Sequence, residues 1–204
     1  MEGGLFQQQC HRKMRKELLE ILVEEYSMEV FLRKLLPTIL PEDFILDQNC
    51  FIRTHEGKGH LLKSIPKKSR AFKNFPWPVR LLIVHDQDSN NCIELKRKIV
   101  DLVRDNNLTI PLLVRIPCHE LENWYLGDLK AIAKLYPESR ADTYMNKAKY
   151  RNVDLLNGSE EIEKFSKNFT KTSCAKNIFQ FMKMDVNTSN SFNQFVSGLA
   201  KFLN

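Results

Sequence analysis

Val79-Arg80-Leu81-Leu82-Ile83-Val84-His85-Asp86-Gln87-Asp88-Ser89 is the stretch on which the fold turns. Five apolar residues in six, then an abrupt polar break, is the pattern of a strand covered on both faces. Downstream, Asn91–Arg104 is amphipathic, with Ile93, Leu95, Ile99, Leu102 and Val103 apolar, and Ile110–Ile116 is a second strand-sized run. Upstream, Leu19–Glu24 is an apolar run ending in an acid. Met28, Phe31, Leu32, Leu35 and Leu36 then fall at helical spacing, with Ser27 as the expected N-cap and Pro37 and Pro41 expected to close the helix. Phe44–Ile52 alternates loosely and is expected as a further strand. His60–Phe72 reads as a basic helix that Pro66 must kink or divide. Leu121–Leu135 reads as one helix. Strands alternating with helices predict an α/β fold: a parallel sheet with right-handed crossovers and helices on both faces. From Tyr136 onward no strand pattern appears, and Glu160–Phe169, Ser173–Met184 and Ser191–Leu203 read as short helices. The expected division is an N-terminal extension (1–16), an α/β core (17–135) and a C-terminal helical annex (136–204).

A chain of 204 residues, 43% hydrophobic with 7 Gly and 8 Pro, excludes collagen-like and disordered classes. No apolar run approaches the roughly 18 residues of a membrane span, so no membrane association is expected. Met1–Lys16 is polar and lacks the apolar segment of a secretory signal. Five scattered cysteines with no CxxC pair predict neither a disulfide framework nor a zinc site, and a reducing cytoplasm fits them best. The net charge of +6 is unevenly laid out. Residues 1–128 carry 19 Lys/Arg against 18 Asp/Glu, while residues 129–204 carry 12 against 7. Gly57–His85 holds Lys58, Lys63, Lys67, Lys68, Arg70, Lys73 and Arg80 and no acid. Such a stretch is either a solvated helix face or a phosphate-contacting surface.

In an open parallel sheet, ligands bind beyond the carboxyl ends of the strands. Acids collect there. Glu24, with Glu25 and Glu29 behind it, ends the first strand; Asp86 and Asp88 follow the third; Glu120 and Glu122 follow the fourth. Two residues apart in extended chain, Asp86 and Asp88 would leave the same side. Paired carboxylates repel unless a cation lies between them, and Mg2+ accepts hard oxygen ligands. Taken singly, each acid has an ordinary reading as a cap, a strand-end charge or a first-turn helix acid. The combination on several strand ends favours a metal site.

These segments carry a resemblance. Leu22-Val23-Glu24-Glu25-Tyr26-Ser27-Met28-Glu29, followed by Val30-Phe31-Leu32, resembles the opening strand and helix of Toprim domains, and His85-Asp86-Gln87-Asp88-Ser89 looks like their DxD. The chain from Leu18 to Leu203 resembles a bacterial family of small Toprim-like proteins of unassigned function. The carrying segments are His55–Leu61 (HEGKGHL), His85–Lys96 (HDQDSNNCIELK), Arg115–Ile132 (RIPCHELENWYLGDLKAI) and Thr188–Phe195 (TSNSFNQF). The resemblance implies a Mg2+- or Mn2+-dependent nuclease related to OLD-type enzymes. It also implies an ABC- or AAA-type ATPase partner in a phage-defence operon. Glu24 would be a metal ligand or general base, Asp86 and Asp88 metal ligands, Glu122 a further catalytic acid and Glu29 a secondary acid. Glu25 departs from the Toprim pattern, where Gly follows the first glutamate, and Asn91 stands where an acid is expected.

Basic residues would hold the nucleic acid: Lys58, Lys63, Lys67, Lys68, Arg70 and Arg115. For Lys58 a plain loop lysine, for Arg115 a structural ion pair, and for Lys171 either role are equally open. His85 and His119 flank the acids, where a packed or hydrogen-bonded histidine is the commoner outcome. Trp124 and Tyr125 are expected in the core. Two functions follow from different classes: a metal-dependent nuclease, or a binding subunit that docks on a partner ATPase and is silent alone. A haloacid-dehalogenase-like phosphatase using Asp86 as nucleophile ranks below both, because that family places its DxD on the first strand. Homo-oligomerisation is left open.

Overall fold

The computed structural model describes residues 15–105 and 109–204, so nearly all of the expected N-terminal extension lies outside the described residues. Four strands, β1 (Leu18–Val23), β2 (Cys50–Thr54), β3 (Val79–Val84) and β4 (Leu112–Arg115), form one all-parallel sheet in the order β2-β1-β3-β4. β1 and β3, the two most apolar runs, take the centre. Val23 is level with both Thr54 and Val84, and Val84 with Arg115. All four carboxyl ends therefore finish along one edge.

Side-chain alternation divides the sheet between two cores. Leu19, Ile21, Val23, Leu82 and Val84 face α1 (Tyr26–Ile39) and the helical C-terminal part; Leu22, Leu81, Ile83 and Val114 face α2 (Lys58–Phe72) and α3 (Cys92–Arg104). The C-terminal part contains α4 (Glu122–Leu126), α5 (Leu129–Leu135), α6 (Gly158–Phe165), α7 (Lys171–Asn177) and α8 (Asn190–Leu203), with 3-10 turns between α5 and α6 and before α8. It is packed into the sheet's own core. Trp124 is fully buried and its ring lies 6.1 Å from Phe31 of α1, and 5.5 Å and 4.9 Å from Phe192 and Phe195 of α8. Its Nε1 donates to Ser191 Oγ at 3.0 Å. The Thr188–Phe195 segment is a structural knot. Buried Asp154 accepts from the Ser189 hydroxyl and from the Ser191 backbone N–H, at 2.7 and 2.8 Å, tying the start of α8 to the turn before α6.

Several boundaries differ from expectation for identifiable reasons. Pro37 lies inside α1, in its last turns, where Leu35 and Leu36 are buried and Leu40 N–H still reaches Leu36 O at 2.9 Å. Glu25, not Ser27, is the N-cap position of α1. α2 runs through Pro66 unbroken; buried Leu61, Ile65 and Phe72 hold it on the sheet against a proline penalty of about 3 kcal/mol. The second strand begins only at Cys50. Residues 44–49 form a turn held by fully buried Asn49, which accepts from Ile45 N–H and donates to Asp43 O and Arg15 O. Leu121–Leu135 is two helices, because Gly127 ends α4 and Asp128 caps α5 by accepting from Ala131 N–H at 3.1 Å. A Cβ on Gly127 would sit 1.9 Å from Asn187 Oδ1, so the break is also a close approach. Among the described residues no helix is long and apolar enough to cross a membrane.

Candidate functional site

The strand ends continue into one another's loops. His85 N–H reaches Arg115 O at 3.2 Å, Gln87 N–H reaches Pro117 O at 3.1 Å and Asp88 N–H reaches His119 O at 2.8 Å. Past the sheet, Asp88 and His119 both adopt left-handed backbone, at φ 51° and 57°. This conformation is costly for residues other than glycine and held by its surroundings. It also separates the two aspartates. Asp88 is turned outward toward Lys58, with Nζ to Oδ2 at 3.1 Å, rather than projecting beside Asp86 as an extended chain would have it.

Asp86 instead lies within electrostatic reach of Glu122 and Glu24. Glu24 and Glu122 are buried, at 7% and 1% exposure. Asp86 keeps some exposure as a residue, but its Oδ1 is covered. Four carboxylate oxygens of this trio are buried without a hydrogen-bond partner: Glu24 Oε2, Asp86 Oδ1 and both of Glu122. Burial, then the charges of Glu122 and Glu24, push the Asp86 carboxyl well above its ordinary range. Burial raises Glu122 to about 7, against the pull of Lys171. Burial also raises Glu24, opposed by His85 and reinforced by Asp88 and Glu25. Buried polar atoms in native proteins normally have partners, so a cluster of orphaned acidic oxygens calls for one.

Two lysines partly answer the charge. Lys171, at the start of α7, places Nζ 2.8 Å from Glu120 Oε2 and 3.8 Å from Glu122 Oε2; the second is an ion-pair distance, not a hydrogen bond. Glu120 is fully engaged, accepting also from Ser159 N–H and Oγ at 2.7 Å each. Those bonds outweigh its burial and hold its carboxyl below the usual value. On the other flank Lys58 answers Asp88. Beside Asp88 a shallow cleft of about 390 Å³ opens, lined by Ser89, His119, Glu120 and Asn157.

His85 joins the trio to the sheet. Its Nδ1 lies 2.6 Å from Asp86 O and 3.2 Å from Glu24 Oε2. A carbonyl can only accept, so Nδ1 carries the proton and donates it to Asp86 O, with Glu24 Oε2 beside it but not hydrogen-bonded. Nε2 is covered and has no partner. Glu25 takes extended backbone at φ −133°, so the residue after the Toprim-like glutamate needs no glycine conformation here. Asn91 caps α3, accepting from Ile93 and Glu94 N–H, a role an acid would fill equally well.

The donor chemistry fits a hard divalent cation: carboxylate oxygens of Glu24, Asp86 and Glu122 without partners, with Asp88 nearby. They are not drawn together, however. Among the described residues no group of three or more His, Cys, Asp or Glu side chains is close enough to hold an ion as it stands. Bare carboxylates in low dielectric repel one another, and a gap between them is the expected result.

The other sequence-selected residues disperse. Glu29 is bonded to Arg33 at 2.8 Å and to the Thr54 hydroxyl, on the β2 side of α1. Lys58, Lys63, Lys67 and Arg70 are exposed along α2. Lys68 is half-buried, with its ammonium lowered by desolvation and beside Arg53 and the buried Glu20. Arg115 faces α8, not α2: a Cβ on Gly198 would sit 1.6 Å from its Nη2. Glu120 stands among the strand-end acids as expected, Ser159 carries no signal in the sequence, and Lys171, for which either role was open, reaches Glu120. A lysine some fifty positions from the acids gives no spacing signal, and only the fold brings it to them.

A search of the curated proteins finds no match to this chain, and a search of the solved structures finds none either. A family described as Domain of unknown function (DUF4276) matches residues 23–200, which takes in every acid of this site, and the chain belongs to that family.

Proposed function

We propose that the chain is a Toprim-like, Mg2+- or Mn2+-dependent nuclease. The observation that carries this is the trio of Glu24, Asp86 and Glu122 at the carboxyl ends of one parallel sheet: each has a covered, unpartnered oxygen, and Asp86 is repelled by the other two. A central first strand ending in glutamate and a third strand ending in DxD support the Toprim-like reading. Glu24, Asp86 and Glu122 would hold the cation, with Asp88 at the rim. When bound, it would supply an activated water and charge stabilisation for the leaving phosphate oxygen. The chain's own groups do the rest. His85, by donating from Nδ1, orients the Asp86 backbone next to Glu24. Lys171 holds Glu120 and Glu122 in place and limits their repulsion. Lys58, Lys63, Lys67 and Arg70 present positive charge to a phosphate backbone, and binding through them would weaken with salt.

A second reading keeps the same site but makes the chain a subunit that is silent until an ATPase partner engages it. The observation favouring it is that the carboxylates are not gathered in the isolated chain. The phage-defence setting follows from the resemblance to operon-encoded Toprim-like proteins. The test is incubation with Mn2+ and a panel of single- and double-stranded DNA and RNA, wild type beside Asp86→Asn. Cleavage by the wild type that the variant loses, while still folded, is expected. Equal cleavage by both would refute the assignment.

A further inference from the structure

A partly enclosed cavity away from the strand ends shares no residue with the acidic site. It has a volume of about 290 Å³ and lies between the α4–α5 junction, the 3-10 turns before α6 and the segment preceding α8. Its walls are apolar: Leu126, Leu129, Met145, Tyr150, Phe181 and Val186. Met145 and Val186 are 45% and 49% exposed, so part of this apolar lining faces water with nothing on it. Three lysines, Lys130, Lys134 and Lys183, complete the lining. All three are exposed, and none has a side-chain ion-pair partner among the described residues. The acid at the cavity, Asp128, forms no ion pair with them, and the lining stays positive on balance. Its Oδ1 accepts from Ala131 N–H and its Oδ2 from the Lys183 backbone N–H, at 3.1 and 2.9 Å. Both oxygens are thus spent on backbone.

Apolar walls with a few convergent polar groups are the usual composition of a small-molecule site. Here every uncommitted charge is positive, and aromatic side chains supply flat surface. We propose that this cavity binds a small anion with a planar apolar body, the body against Tyr150 and Phe181 and the anionic group among Lys130, Lys134 and Lys183. The volume suits one or two fused rings and excludes a folded peptide segment. The proposal does not depend on the nuclease reading, and either can fail alone.

The test uses the full chain and a matched pair of fluorescent probes, 8-anilinonaphthalene-1-sulfonate and the uncharged N-phenyl-1-naphthylamine, titrated well below the melting temperature. Saturable binding of the sulfonate with one site per chain is expected, with the neutral probe about tenfold weaker. Lys134→Glu/Lys183→Glu should weaken the sulfonate by about tenfold and leave the neutral probe unchanged. Both lysines are exposed, so this variant should fold, and its melting curve checks that. Lys73→Glu/Lys96→Glu, on the opposite face of the sheet, makes the same change in net charge and should leave both probes unchanged. Equal affinity for the two probes, no saturable sulfonate binding, or equal weakening by the two double variants would each overturn the proposal.

Discussion

Glu122→Gln should make the cation-free protein more stable at pH 8 and no more stable at pH 4. Glu122 is buried at 1% exposure, and burial lifts its carboxyl to about 7 from an ordinary 4.5. Between those values the unfolded chain has released this proton and the folded chain keeps it. The folded state binds more protons, so stability falls as pH rises through this window, and the loss is complete above about 7. At roughly 1.4 kcal/mol per pH unit the cost is about 3 kcal/mol. Gln has the shape of the protonated acid and cannot ionise, so the variant escapes that cost while sharing the penalty of unpaired polar atoms. For a chain of this size the gain corresponds to about 6–12 °C in melting temperature. Asp86 and Glu24 are shifted in the same direction, so the wild type and the variant both lose stability with rising pH. The informative quantity is therefore the difference between their melting curves at each pH, recorded in chelator. A difference that stays constant from pH 4 to pH 8, or a variant that melts lower at pH 8, would refute the reasoning.

Other substitutions separate the site from its scaffold. Lys171→Met removes the cation nearest Glu122 and should cost about 1 kcal/mol at pH 8, Lys171 being part-exposed; thermal melts against wild type measure it. The same variant should move the Glu122 titration upward from about 7, read from the pH dependence of those melts. Gly198→Ala would put a Cβ 1.6 Å from Arg115 Nη2, so the guanidinium must swing aside; because only the flexible end of that side chain is met, the cost should stay at about 1 kcal/mol in urea unfolding, with any cleavage activity retained. Asn91→Ala should cost about 1 kcal/mol through loss of the α3 cap, whereas Asn91→Asp, which preserves the cap, should melt close to wild type.

The central strands were legible because an unbroken apolar run flanked by polar breaks has few other outcomes. That same pattern placed Glu24 and Asp86 at strand ends. Asp88 was misplaced by assuming extended backbone, since nothing in Asp-Gln-Asp announces the left-handed turn that His119 O helps to hold. The split between α4 and α5 was hidden inside an apolar periodicity, although Gly127 and the Asp128 cap that make it are local; what the sequence does not show is Asn187, sixty residues away, which leaves no room for a Cβ at Gly127. Pro37 and Pro66 misled for the opposite reason, because tertiary burial outweighed a local penalty. Arg115 stood open between a phosphate contact and a structural ion pair, and Lys68 read as one member of a basic run. The fold instead puts one beneath Gly198 and the other beside Glu20.

Glu24, Asp86 and Glu122 are proposed to hold a divalent cation together. This binding is tested most directly by titrating the chelator-treated chain with Mn2+ at pH 7.5 and following free Mn2+ by electron paramagnetic resonance, wild type beside Asp86→Asn. The account predicts bound Mn2+ on the folded wild type, displaced by excess Mg2+ and lost in the variant. No binding by the wild type, or equal binding by a folded Asp86→Asn, would contradict it.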